Sequence, residues 1–288
     1  MLTELPPEIV EEILVHCDPI EVAKAAQTCS ALRALIYGSQ DSKLWRGLYL
    51  AQPLDDLRKC VSQNGQPAQV NWKRNLQRLC RARKIVGNPS LLKPGELEEV
   101  LQTLLEMILY HRPSTPIDRS WISFNLLWTS SILQHGFIDQ IEDMESLTFT
   151  ERQLISRLHC YYGVTQKDVE HQARVNSRAN VYRMQNYRPE TQYGPLLRDG
   201  EVNWEHMQAL HHVVSMHLVD MRDDGVEFIL FPMSLLNMQI VTPVVPDGEE
   251  AKENEDWVGL EGLWAVSFCF CDHRDLLSRF RFGLICSS

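Results

Sequence analysis

Two groups of side chains in this 288-residue sequence have the chemistry to bind a metal. Cys269, Cys271 and His273 lie near the end, and His206, His211, His212 and His217 crowd one helix-length segment. Thiolate and imidazole are common zinc ligands. On a strand the first three share one face, with same-face Cα atoms ~6.5 Å apart, wide but within reach of a common ion. No fourth ligand stands at a useful spacing. The histidines lack the i, i+4 pair flanking a glutamate that a zinc hydrolase uses. His206 and His217 share a helical face, but about three turns separate them, too far for one ion. The chain has no Gly-rich phosphate loop, no Gly-x-Ser-x-Gly elbow and no cysteine in a catalytic context. The residues therefore read as no enzyme, no metal site and no cofactor, with a small metal-dependent enzyme at Cys269, Cys271 and His273 kept as one alternative.

Binding chemistry is better represented. Tyr182, Tyr187 and Tyr193 punctuate a polar stretch rich in Pro and Gly, and tyrosine is common in recognition surfaces. They are candidates for holding a client protein; pinning of the loop to a helical core is the competing reading. Lys73, Arg74, Arg78, Arg81, Arg83 and Lys84 form a basic helical face with no acid in it. A net charge of −10 argues against nucleic acid or an anionic membrane as partner and favours a solvated face.

The first fifty residues must position the largest apolar surface. Pro6 and Pro7 suit a first helical turn. Ile9, Val10, Ile13, Leu14 and Cys17 then recur at helical spacing. Asp18-Pro19-Ile20-Glu21 restarts the chain with an N-cap and a proline at N1. The second helix runs from Pro19 to Gln27. A third, with Thr28 as cap, carries Cys29, Leu32, Leu35 and Ile36 until Gly38, and Lys43 to Leu50 follows with Leu44 and Trp45. Helices this short cannot hide all these side chains within themselves, so some of the surface needs a partner.

The Leu5-Pro6 opening, the Thr28-Cys29-Ser30-Ala31-Leu32-Arg33-Ala34-Leu35 helix and Leu44-Trp45-Arg46 together resemble the F-box, in the form found in fungal proteins. The Trp72-Lys73-Arg74 run and the Asn186-Tyr187 to Val202-Asn203-Trp204-Glu205-His206 stretch are similar to parts of fungal F-box proteins of unassigned substrate. The resemblance implies docking on a Skp-type adaptor through Leu5, Pro6, Ile9, Ile13, Leu14, Val22, Cys29, Leu32, Leu35 and Trp45. It also implies assembly into a cullin-type ubiquitin ligase that presents an unknown client protein. A scaffold that uses the box outside any ligase is the alternative. Only four residues precede Leu5, which leaves little room upstream.

Hydrophobic content of 44% and charged content of 23% are those of a globular protein. No signal peptide or membrane-length apolar run is present, and the eight cysteines are scattered, which reads as reduced thiols in a cytoplasmic or nuclear protein. The fold class is mainly α: the box at 1–50, a linker and basic helix at 51–89, and a helical client-presenting domain at 90–240. Within the last, helices are expected from Pro94 to Tyr110, from Ile117 to Gln134 burying Trp121, Phe124, Leu127, Trp128 and Ile132, from Glu151 to Tyr162 capped by Thr150, and from Trp204 to Met221 capped by Asn203. An acidic, flexible linker follows at 241–256. Residues 257–288 read as a short β segment. Its Gly262-Leu263-Trp264 resembles the start of a lipocalin-like barrel, with too few strands left to close one.

Overall fold

In the computed structural model the described residues are 5–38, 43–114, 122–218, 235 and 238–240. Four short helices open the chain: α1 (Pro7–Val15), α2 (Pro19–Ala25), α3 (Ser30–Arg33), continued by a π turn (Ala34–Gly38), and α4 (Lys43–Leu50). α1 buries Val10 and Leu14, α2 buries Val22, and α4 buries Leu44, Trp45, Leu48 and Tyr49. α1 lies close against α4 because Gly47 faces Val15: a Cβ there would sit 2.8 Å from Val15 Cγ2. The Trp45 indole N–H donates to the Ile36 carbonyl at 3.0 Å, so the one polar atom of a buried ring is satisfied. The cap of α3 is Cys29, whose sulfur accepts from the Leu32 N–H, and not Thr28. The Thr28 hydroxyl instead donates to the Ala25 carbonyl at the end of α2.

α5 (Trp72–Gly87) is the spine of the molecule. Trp72, Leu76 and Leu79 share one core with α1, α2 and α4, joined by Leu54, Leu57 and Met107. Ala82, Ile85 and Val86, further along the same helix, belong to the core of the downstream helices. Its basic face is held by acids from elsewhere in the chain. Arg83 makes paired bonds to Asp18, the cap of α2. Arg78 binds Glu106, and Arg81 binds Glu96. The Lys73 ammonium lies over the rings of Tyr37 and Trp45.

The downstream core is built by α6 (Leu97–Leu109), α7 (Phe124–Leu133), α8 (Phe137–Glu142) and α9 (Phe149–Tyr162). α10 (His171–Val181) and α11 (Trp204–Leu218) pack against each other, and α11 also lies on α9. Asn203 caps α11 by accepting from the His206 N–H. α8 and α10 were not legible in the sequence. Among the described residues there are only isolated bridges and no sheet.

Two further local expectations are corrected. Thr148, not Thr150, caps α9, in a full capping box with Glu151. α7 faces inward with Leu126 and Leu133, whereas Phe124 and Leu127 are exposed. Asn125 forces that rotation: its amide oxygen accepts from the Asp55 N–H and its NH₂ donates to the Tyr110 carbonyl, inside the protein. Trp121, the end of the expected α11, the acidic linker 241–256 and the segment 257–288 with Cys269, Cys271 and His273 lie outside the described residues.

Candidate functional site

The apolar residues of α1 fall on two faces, and one of them is buried in the core of the described residues. Val10 and Leu14 turn into the core. Ile9 and Ile13, four apart, form a stripe on the other face, 50% and 42% exposed, and Leu5, which precedes the helix, is 43% exposed. Pro6 beside them is exposed as well. A row of three large aliphatic side chains in water is a surface that association would bury favourably. Cys29, Leu32 and Leu35 are half-buried beside that core. Leu14, Val22 and Trp45 are core residues. Their side chains shape the unit from within.

What orients the stripe is the packing beneath it. α1 rests on α4, α4 on α5, and the Asp18–Arg83 pair ties the start of α2 to the same spine. The carboxyl of Asp18 is held below its ordinary range: burial opposes the charge, but the Ile20 N–H and the Arg83 guanidinium outweigh it. The presenting surface is thereby fixed relative to the helices that follow.

The three tyrosines occupy different environments. Tyr187 is half-buried, its hydroxyl donating to the Val181 carbonyl at 2.7 Å and its ring edge-on to buried His206. Tyr182 is half-buried at the end of α10. Tyr193 is 66% exposed, with Met184 79% exposed in the same loop. Gln192 and Tyr193 both have positive φ, at 50° and 58°. A bulky residue there is strained, and such strain is held where surrounding bonds fix the backbone. Thr191 supplies them by donating to the Asn186 and Arg188 carbonyls.

A buried polar cluster joins α8 to α11 and was not foreseen from the spacing. His159 lies between Glu142 (Nδ1 to Oε1, 2.7 Å) and Asp168 (Nε2 to Oδ2, 2.8 Å). Burial works against its charge, yet the two carboxylates carry its pKa up to about 10. Asp168 is correspondingly held below its ordinary value: burial opposes ionisation, and His159 outweighs it. His212 bonds the Asp168 carbonyl and the Ser177 hydroxyl, and burial pushes the Cys160 thiol up to about 12. Ser177, His212 and Asp168 form a hydroxyl–imidazole–acid series only in outline. The imidazole meets the Asp168 main chain at 2.9 Å and its carboxylate at 4.0 Å. Ser177 sits inside α10, where backbone N–H groups are engaged along the helix and none is free to hold an oxyanion. No group of three or more His, Cys, Asp or Glu side chains among the described residues converges to hold a metal ion. No helix among them is long and apolar enough to cross a membrane.

A search of the curated proteins and a search of the solved structures both returned no match to the chain. A family model does match its start, over residues 2–51: the F-box-like model, which covers α1 to α4 and with them the exposed stripe. The chain therefore carries an N-terminal F-box-like domain.

Proposed function

We propose that this protein is a substrate-recognition subunit of a cullin-type ubiquitin ligase. Its F-box-like domain docks on a Skp-type adaptor, and the helices beyond α5 present a client protein. The observation that carries the reading is the exposed Ile9–Ile13 stripe, with exposed Leu5 just ahead of it, on the first helix of an F-box-like domain whose opposite face is buried. Pro6 and the half-buried Cys29, Leu32 and Leu35 extend the docking surface, while Leu14, Val22 and Trp45 support it from beneath.

The mechanism is proximity. A client lysine held near a charged ubiquitin carrier reacts at an effective concentration far above its free one, and the subunit itself breaks and forms no bond. A shared core through α5 favours this, because a client site rigidly fixed to the adaptor keeps that geometry. Within the client-facing loop, Tyr193 and Met184 offer accessible apolar surface, whereas Tyr187 and Tyr182 hold the loop in place.

The experiment is tandem affinity purification of the full chain followed by mass spectrometry. Adaptor and cullin recovered together support the ligase subunit. Adaptor without cullin assigns a scaffold outside a ligase, and recovery of neither overturns the reading.

A further inference from the structure

Leu235 and residues 238–240 are bound to the protein in the manner of a peptide ligand. Leu235 is fully buried in the main core, and Met238 packs on the same cluster. The side-chain amide of Gln239 is read by two main-chain groups: Oε1 accepts from the Ser123 N–H at 2.7 Å and Nε2 donates to the Arg112 carbonyl at 3.0 Å. The main chain of Ile240 is read at both polar atoms. Its N–H donates to His111 Nε2 at 2.9 Å and its carbonyl accepts from the Ser114 N–H at 2.8 Å.

The receiving face is assembled by residues that do not depend on this segment. Asp55 Oδ2 accepts from the Arg112 N–H and the Ser123 hydroxyl, and Oδ1 from the Phe124 N–H. Those bonds fix both main-chain groups that read the glutamine. His111 Nδ1 is 2.9 Å from the Ile108 carbonyl, to which it donates, so that Nε2 is left as the acceptor for the Ile240 N–H. That tautomer is the neutral ring, and burial holds the His111 pKa down. The groups that read the glutamine and the His111 ring are thus set before a ligand arrives, which lowers the cost of binding one.

We propose that residues 111–114 and 123–125 form a peptide-recognition site, occupied in cis by Leu235, Met238, Gln239 and Ile240, that takes a segment of another protein with the same chemistry. The ligand is a turn, closed in the cis segment by the Met238 N–H donating to the Leu235 carbonyl at 3.1 Å, with a glutamine, apolar residues on both sides of it and an aliphatic anchor four positions earlier. Glutamine is selected because donor and acceptor are both required at fixed places: a leucine there offers no acceptor to the buried Ser123 N–H and no donor to the Arg112 carbonyl. The cis segment competes at the high local concentration that a tether provides, so a partner gains access when that segment is weakened. This site is separate from the F-box-like stripe and does not rest on the ligase reading.

The test uses the full chain and a fluorescent peptide spanning residues 233–242. The peptide is expected to bind a Gln239→Ala chain at least tenfold more tightly than the wild type, and the same peptide carrying Gln239→Leu is expected to lose that binding. Binding to neither chain, or binding that ignores the glutamine, overturns the proposal. Hydrogen exchange on the wild type guards against a variant that does not fold. The Ser114 and Ile240 amides should exchange at least tenfold faster than those of Leu104 and Ile108. If all four open only together in global unfolding, the segment is a permanent part of the core and the proposal fails.

Discussion

His159→Gln isolates the buried cluster that joins α8 to α11. In the wild type the ring is enclosed, with a carboxylate within 2.8 Å of each nitrogen. Glutamine has no charge to match Glu142 and Asp168. Removing one member of a buried ion cluster costs ~3–5 kcal/mol, because the remaining charges stay buried and uncompensated. The pH dependence gives an independent figure. The folded-state pKa of about 10 lies above the ordinary 6.5. The stabilisation from this group is therefore complete below pH 6.5, declines as the unfolded chain loses its proton, and is gone above pH ~10. One proton is worth ~1.4 kcal/mol per pH step, so the decline across that window totals roughly 5 kcal/mol at most. The assay is urea unfolding of both proteins from pH 6 to 10. Groups other than its partners Glu142 and Asp168 titrate alike in both, so the difference between them reports His159 and the two carboxylates it holds. That difference should be largest at pH 6 and shrink steadily toward pH 10. Two parallel curves would refute the assignment of a charged His159.

Asp55→Ala should destabilise the protein by ~1–3 kcal/mol in the same unfolding assay, since it removes a buried carboxylate that accepts from the Ser123 hydroxyl and from the Arg112 and Phe124 N–H groups; an unchanged stability would contradict the hub. Tyr187→Phe should cost ~1 kcal/mol by removing the bond to Val181, while Tyr193→Ala should leave the melting temperature unchanged and lower client recovery in a comparative interactome. The reverse pattern would exchange their roles. Tyr49→Phe should raise the melting temperature, because its hydroxyl is buried without a hydrogen-bond partner; a fall would mean that the hydroxyl is satisfied.

Much of this was visible in the sequence where the signal is local. The α1 periodicity, the Asp18 and Asn203 caps and the apolar run of α6 depend on neighbours within a turn or two, and each appears where its residues place it. Contacts between distant residues were not visible. Arg83 meets Asp18 65 positions away, so a helix with no acid of its own looked like a free basic face. Thr148 and Thr150 each precede an acid or amide by three residues, and periodicity does not choose between them. The Thr148 register engages Glu151 and frees Gln153 to bind Trp204 and Glu205 on α11. α10 carries little apolar surface and meets α11 partly through Ser177 and His212, which gives no helical stripe to read. Of the ten expected docking residues, periodicity alone could not tell the stripe from the core: Ile9 and Val10 are adjacent, and only the position of α4 decides which of them faces water.

The docking claim is tested most directly by isothermal calorimetry of the full chain against a purified Skp-type adaptor, wild type beside Ile9→Asp with Ile13→Asp. Both side chains are exposed, so the melting temperature should change little. An interface anchored on them should lose at least ~1.4 kcal/mol per residue, a hundredfold or greater weakening for the pair. Unchanged affinity with intact folding would contradict the account, because the stripe would then be no part of the surface the adaptor meets.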